Sequence, residues 1–243
     1  MRRTYTDLHV CADLNNFEKA SGLIEKASRL GYDAVALPVQ RSADVQMQRM
    51  RNVCRDFGVD FVSRVDFRPR NPDELLRDLR KYRRRFEIVA VLCDSKLVAR
   101  QAAKDRRVDL LNFPQTDYRR RFFDSAEAEL ASQGLACLEI DARPLLMLEG
   151  VDRVRLLSSL RKETATAKDF HVPIVVSSGV SDAMLIRRPM ELAALSSLFG
   201  LSGNLAADTV SANPSAIVKR NREKLGSEFV APGIRLIRKG KDC

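Results

Sequence analysis

The sequence predicts an α/β fold of the TIM-like (β/α)8 barrel class, formed by one domain over residues 1–243 with a short basic extension at about 226–243. Short apolar runs rich in β-branched residues alternate with longer segments of helical period, and Gly, Pro or Asn separates them. The chain is long enough for eight such pairs with right-handed crossovers. An open doubly wound sheet is the alternative, but no G-x-G-x-x-G motif follows the first run.

The apolar runs predict eight strands. In chain order these are Tyr5–Val10, Ala34–Leu37, Phe61–Phe67, Ile88–Cys93, Val108–Phe113, Ala136–Asp141, Ile174–Ser177 and Leu205–Asp208.

The segments between the strands predict eight helices, which are Asn16–Leu30, Ser42–Phe57, Pro72–Arg84, Lys96–Asp105, Asp117–Ser132, Val151–Phe170, Pro189–Phe199 and Pro214–Leu225. Asn71 before Pro72 and Asn213 before Pro214 are start signals, and Gly31 and Gly200 are stop signals.

Composition excludes several classes of protein. Hydrophobic residues make up 45% of the chain, which suffices for a core, and the net charge of +10 with a pI near 9.7 suits a polyanionic partner as well as simple solubility. The five cysteines are scattered and form no CxxC pair, so we expect reduced, mostly buried thiols. The N-terminus has no hydrophobic signal core and the run IVAVLC is too short to cross a bilayer, so we expect a cytoplasmic protein without a membrane partner.

Strand alternation predicts which side chains face the barrel interior, because helices must cover the apolar outer face. Leu8 and Val10 are predicted to face outward, as are Leu138 and Ile140. The predicted interior residues are Asp7, His9, Cys11, Arg64, Asp66, Arg68, Glu139, Asp141 and Arg143.

Two interpretations of this interior remain open. The stretch TDLHVCADL is similar to the Asp-Leu-His-x-His segment that begins a large family of metal-dependent phosphoesterases, with Cys11 at the second histidine position. Such metal centres need several histidines, and the chain has two. One of them, His171, lies before the seventh strand, at the opposite end from the C-terminal rim of the barrel, where barrel enzymes place their active sites. The arginines instead predict an ion-pair network that holds the carboxylates.

The Ser177-Ser178-Gly179 stretch lies at the end of the seventh predicted strand. It lacks a G-x-S-x-G elbow and a histidine placed to serve it, so we interpret it as a turn. Loops at this position of a barrel often bind phosphate, which leaves a sugar-phosphate lyase or isomerase as a weaker alternative.

Arginines and lysines occur in six clusters along the chain, among them RDLRKYRRR at 77–85, KDRR at 104–107 and KRNREK at 219–224. Each cluster alone fits a solvated helix face, but together they indicate contact with many phosphates. With no Trp and four Tyr there is little material for stacking on bases, which favours a folded RNA recognised by its backbone.

Three segments in the second half resemble one family. CLEIDARPLL (137–146), PIVVSSGVSDAMLIRRPMELAALSSLFGL (173–201) and NPSAIVKRN (213–221) resemble component 3 of archaeal ribonuclease P and its eukaryotic counterpart. The shared features are Arg-Pro-Leu-Leu after the sixth strand, a Ser-Ser-Gly turn leading to a basic residue and Pro, and Asn-Pro opening the last helix.

The resemblance implies a non-catalytic subunit of a ribonucleoprotein that removes the 5′ leader of precursor tRNA. Expected partners are the ribonuclease P RNA, a Pop5-type small protein subunit, the other ribonuclease P proteins and, through the complex, precursor tRNA. The resemblance implies no cofactor on this chain, with magnesium held by the RNA, and no catalytic residue. Asp7, His9 and Cys11 would then be a degenerate metal site. The alternative is a PHP-like phosphoesterase using these residues with Glu139 and Asp141.

On this interpretation we predict that ten basic side chains contact RNA, namely Arg68, Arg70, Arg83, Arg84, Arg120, Arg143, Arg187, Arg188, Lys219 and Arg220.

Overall fold

Seven parallel strands form one sheet in chain order in the computed structural model, which describes residues 3–40, 44–113, 121–231 and 234–236. Each strand pairs with the next one along the chain. The strands are β1 Thr6–Asp7, β2 Ala34–Pro38, β3 Asp60–Phe67, β4 Ile88–Leu92, β5 Leu110–Asn112, β6 Cys137–Asp141 and β7 Ile174–Ser177.

Helices connect the strands and cover the outside of the sheet. They are α1 Phe17–Leu30, α2 Asp44–Asp56, α3 Pro72–Tyr82, α4 Lys96–Lys104, α5 Ser125–Gln133, α6 Arg143–Met147, α7 Gly150–Asp169, α8 Pro189–Ser196, α9 Gly203–Asp208 and α10 Ala212–Leu225. Single 3-10 turns extend α3 and α8. The Asn71 side chain caps α3, and Gly31 ends α1 in the left-handed conformation, as the sequence predicts.

The predicted TIM-like barrel is confirmed, but the predicted eighth strand is wrong, because Leu205–Asp208 lies within helix α9. The loop after α9 takes the place of a strand: the amide of Thr6 donates to the carbonyl of Val210, and the amide of Val176 donates to the carbonyl of Thr209. Toward the C-terminal ends of the strands, a single bridge between Val10 and Val180 closes the gap between β7 and β1. A short apolar run with two alanines fits a helix as well as a strand, so periodicity alone could not decide.

The core has two layers. Strand residues such as Ala36, Ala90 and Val175 fill the lower barrel interior together with Ile217 and Val218 of α10, and the alternate strand residues pack under the outer helices. Helix α10 contacts β1, β4 and β7, so it lies across the N-terminal end of the barrel and closes it. The basic C-terminal half of α10 is therefore positioned at that end.

The first strand is shorter than predicted, and this changes one facing prediction. Leu8 is fully buried in the interior layer with α10 instead of facing the outer helices, whereas Val10 packs outward as predicted. The cause is a bend after Asp7, whose Oδ1 atom accepts hydrogen bonds from the amides of His9 and Ser178. The bend allows both Leu8 and His9 to face inward.

Other boundaries differ locally. The helix predicted from Asp117 begins at Ser125, where Asp124 and Glu127 form a capping box, and residues 114–120 lie outside the described part of the chain. The last helix begins at Ala212, and Asn213 donates from its side chain to the carbonyl of Ile174. In the basic extension, Phe229–Ala231 and Ile234–Arg235 form a short antiparallel pair, β8 and β9.

Within the described ranges, none of the helices combines the length and hydrophobicity that a membrane-spanning segment requires.

Candidate functional site

Polar side chains from four strands and from the bend after β1 meet inside the barrel, near the C-terminal ends of the strands. The sheet register places Asn112 beside Glu139 and Asp141 beside Ser177, and alternate residues of each strand face inward. We call this group the rim network, and its members are His9, Arg64, Asp66, Asn112, Glu139, Asp141 and Ser177.

The guanidinium of Arg64 lies at the centre of the rim network and is only 1% exposed. Its Nη1 and Nη2 atoms donate to the two carboxylate oxygens of Glu139 at 2.6 and 2.7 Å, and its Nε atom donates to Asp66 at 2.7 Å. This is the bidentate geometry that makes arginine–carboxylate pairs strong. Burial alone would raise the pKa of Asp66, but Arg64 and His9 outweigh burial and hold that pKa well below its ordinary value.

His9 connects the two remaining carboxylates. Its Nδ1 atom lies 2.8 Å from Asp141 and its Nε2 atom lies 3.5 Å from Asp66. Burial and the nearby Arg64 would lower the pKa of His9, but the two carboxylates raise it well above 6.5. A carboxylate beside each ring nitrogen suits the doubly protonated imidazole, which acts as a second buried cation.

The rim network contains a group of donors with metal-like spacing. One donor atom each from His9, Glu139 and Asp141 lies within 4.8 Å of the others. However, both oxygens of Glu139 accept hydrogen bonds from Arg64, and the Nδ1 atom of His9 is bonded to Asp141 itself. A divalent ion would have to displace the Arg64 guanidinium from Glu139 and separate His9 from Asp141, so these residues as arranged do not fit a metal centre.

Asp7 and Cys11, the other residues of the predicted degenerate metal site, do not belong to this donor group. Asp7 is 1% exposed, and its Oδ2 atom has no hydrogen-bond partner among the described residues. Burial, opposed by hydrogen bonds from Ser178 and His9, raises its pKa. Cys11 is half-buried at the rim, where its amide donates to the carbonyl of Val180.

The segment predicted as a Ser-Ser-Gly turn begins inside a strand, because Ser177 is the last residue of β7 and only Ser178 and Gly179 lie beyond it. The polar groups of all three residues are used within the protein. The Ser177 hydroxyl donates to Glu139, and the Ser178 hydroxyl and the Gly179 amide both donate to the carbonyl of His9. Gly179 has a φ of +64°, and a Cβ atom there would lie 2.7 Å from Cβ of Asp141. This segment therefore connects the end of β7 to the bend after β1.

The interior prediction is wrong for two arginines. Arg143 is exposed at the first position of α6, and Arg68 is exposed just beyond β3, where it pairs with Asp94 at 2.5 Å. Both lie past the last strand residue, where alternation no longer governs side-chain direction. Of the three arginines predicted to hold the carboxylates, Arg64 does so, and His9 with Asn112 holds Asp141.

The ten predicted RNA contacts divide between the two ends of the barrel. Exposed or half-exposed residues at the C-terminal rim are Arg68, Arg70, Arg143, Arg187 and Arg188, and those at the N-terminal end are Arg83, Arg84, Lys219 and Arg220. Arg120 lies outside the described residues. Several of these residues have partners within the protein: Arg68 pairs with Asp94, and Arg83 and Arg220 both bond to the buried carboxylate of Asp109.

The sequence interpretation missed two kinds of residue. Asn112 and Ser177 complete the rim network, and strand alternation around Val108–Phe113 and Ile174–Ser177 would have placed them inside. Arg106, Arg107 and Lys224 belong to clusters seen in the sequence, but their proximity to Arg83 and Arg84 arises only from the fold.

Residues 4–225 match the family model described as RNase P subunit p30. The chain is 30% identical over 226 residues to ribonuclease P protein component 3 from Methanosarcina barkeri, covering 93% of this chain and 91% of that protein. It is 29% identical to the protein of the same name from Haloarcula marismortui, covering 84% and 86%.

Solved structures share the fold. A chain in a cryo-EM structure of archaeal ribonuclease P with mature tRNA superposes with a TM-score of 0.83 at 20% identity, covering 97% of this chain and 99% of that one. A lactonase from Listeria monocytogenes superposes with a TM-score of 0.52 at 8% identity, covering 89% and 94%.

Proposed function

This chain belongs to the RNase P subunit p30 family, and we propose on that basis that it acts in ribonuclease P as an RNA-binding scaffold without catalysing the cleavage itself. Ribonuclease P removes the 5′ leader of precursor tRNA, so the chain contributes to an endoribonuclease only as part of the holoenzyme. The magnesium ions of the reaction would be held by the RNA.

The state of the rim network is the observation that supports a scaffold most directly. Arg64 is bonded to Glu139, Asp66 and a backbone carbonyl, and the protonated His9 is bonded to Asp141. None of these carboxylates is free to bind a metal or to act as a base. The PHP-like phosphoesterase is therefore the less favoured alternative.

The positive charge supports contact with RNA. The net charge is +10, and exposed arginines at both ends of the barrel supply cations that a phosphate backbone can bind. We propose contacts with the ribonuclease P RNA and, through the complex, with precursor tRNA, in the cytoplasm.

An apolar cleft between α6 and α8 suits a protein partner. Leu146 lies on one side, and Ala194, Leu195 and Leu198 on the other, around a cavity of about 490 Å³. Leu198 is 44% exposed, and Arg187 and Glu191 flank the cleft with opposite charges. We propose that a Pop5-type small subunit docks here with an apolar surface bordered by polar groups.

Reconstitution of the holoenzyme tests the scaffold role. We expect the chain, added to the ribonuclease P RNA and the other protein subunits, to lower the magnesium concentration needed for leader cleavage. Cleavage should disappear on ribonuclease treatment. Hydrolysis of precursor tRNA by the purified chain alone, or activity that survives ribonuclease, would contradict the proposal.

Substitution in the apolar cleft tests the protein partner separately. Leu198→Asp should abolish co-elution with the Pop5-type subunit in gel filtration. Val45→Asp is the matched control, because Val45 is 85% exposed on α2, away from the cleft. Co-elution that is unchanged in Leu198→Asp would place the partner on another surface.

A further inference from the structure

A cavity of about 420 Å³ opens at the N-terminal end of the barrel, beside the end of α10. We call it the basal cleft, and it is lined by Arg83, Arg84, Arg106, Arg107, Lys224, Leu225, Gly226, Phe229 and Val230. Five of these nine residues are cationic, and none is acidic. Its volume falls within the range of about 300–1,000 Å³ that is typical of ligand pockets.

Part of this charge is neutralised inside the protein. Arg107 pairs with Asp105 through two hydrogen bonds, and Asp109 accepts from both Arg83 and Arg220. Asp109 is buried, so a single carboxylate offsets two guanidinium groups.

Three cations of the basal cleft have no such partner. Among the described residues, no carboxylate lies within salt-bridge distance of Arg84, Arg106 or Lys224. Because these three side chains line one cavity with Arg83 and Arg107, the folded protein holds like charges close together. Burial and the charge of Arg220 lower the pKa of Lys224, with smaller contributions from Arg83 and Arg106, while Asp109 opposes them. An anion bound between the cations would relieve the repulsion.

We propose that the basal cleft binds consecutive phosphates of one RNA strand, with Arg84, Arg106 and Lys224 as the phosphate contacts. This inference deepens the proposed function and rests on it. Phe229 and Val230 form the apolar wall of the cleft, which suits the sugar or base attached to a bound phosphate. The cleft lies at the end of the barrel opposite the rim network, so the binding face is not the one that barrel enzymes use for catalysis.

Binding of the full chain to a fluorescein-labelled oligouridylate of ten nucleotides, measured by fluorescence anisotropy, tests the proposal. The double variant Arg84→Ala with Lys224→Ala should bind at least roughly tenfold more weakly at 0.1 M salt. Its plot of log K against log salt should be shallower by about 1.4, because each lost phosphate contact on a single strand removes about 0.7. Arg84→Lys should retain most of the affinity.

The control is a second double variant that removes two positive charges elsewhere, Lys19→Ala with Lys26→Ala, both exposed on α1. Arg83 and Arg220 stay unchanged, because their loss would strip the buried Asp109 of its partners. Three outcomes would overturn the proposed RNA site in the basal cleft: unchanged binding in the cleft variant, an equal loss of affinity in the control variant, or no binding by the natural sequence. Leader cleavage by the reconstituted holoenzyme reports on the proposed function independently, because it compares the presence and absence of the unmodified chain.

Discussion

Replacement of Arg64 by Met is the most direct test of the rim network. The change removes the bidentate pair with Glu139, the bond to Asp66 and the bond to the carbonyl of Leu8, while the side-chain volume stays similar. Glu139 is fully buried and would keep only its neutral donors, Asn112 and Ser177. An uncompensated buried charge of this kind costs about 3–5 kcal/mol in the free energy of unfolding.

Thermal unfolding followed by circular dichroism measures this cost. For a chain of this size, each kcal/mol shifts the melting temperature by about 2–4 °C, so the Arg64→Met variant should melt about 6–20 °C lower. The double variant Arg64→Met with Glu139→Leu should recover much of the loss, because two apolar residues that pack together can replace a buried pair.

The reasoning would be refuted if Arg64→Met melted within about 2 °C of the natural sequence, since the Glu139 charge would then have found another partner. It would also fail if the double variant were less stable than the single one.

Three smaller perturbations test other parts of the structure. The pKa of His9 is raised in the folded protein, so its stabilising contribution is complete below about pH 6.5 and is lost as the pH rises through the folded-state pKa. The natural sequence should therefore melt higher than His9→Gln at pH 6, and this difference in melting temperature should shrink toward pH 9.5. Gly179→Ala should lower the free energy of unfolding in urea by about 1–3 kcal/mol, because Gly179 has a positive φ and a Cβ atom there would contact Asp141. Gly22→Ala, in an open part of α1, should raise the free energy of unfolding by about 0.5–1 kcal/mol. The opposite order of stability would contradict this geometry. Asn71→Ala should lose about 1 kcal/mol through its helix cap, and a neutral result would show that water replaces the cap.

The barrel could be predicted from the sequence because its signals are local. A buried parallel strand needs a short apolar run, and helix ends need specific caps, so each element is encoded by a few adjacent residues. The prediction of the eighth strand is wrong because its signal is not local. Whether Leu205–Asp208 forms a strand or a helix depends on the carbonyls of Thr209 and Val210, which accept hydrogen bonds from β7 and β1. Those contacts exist only after the barrel has formed.

The direction of the site's side chains is predictable where strand alternation applies, and the prediction is wrong beyond the ends of the strands. Arg64, Asp66, Glu139 and Asp141 were placed inside by period alone, and all of them belong to the rim network. Arg143 follows the strand end and was misplaced. Side-chain direction in a loop depends on tertiary contacts, which no short window of sequence encodes.

The two ends of the barrel differ in how their charges are balanced, and this difference bears on function. At the C-terminal rim, the three carboxylates of Asp66, Glu139 and Asp141 surround Arg64 and the protonated His9, so opposite charges pair with each other within the protein. At the N-terminal end, like charges crowd around Lys224 and only part of them is neutralised. A buried network whose charges are already paired within the protein gains little from a ligand, whereas repelling cations gain free energy from a polyanion that approaches. We therefore infer that the rim network is structural although it resembles an enzyme site, and we propose that the basal cleft at the opposite end adds an RNA contact to those of the exposed arginines around the rim.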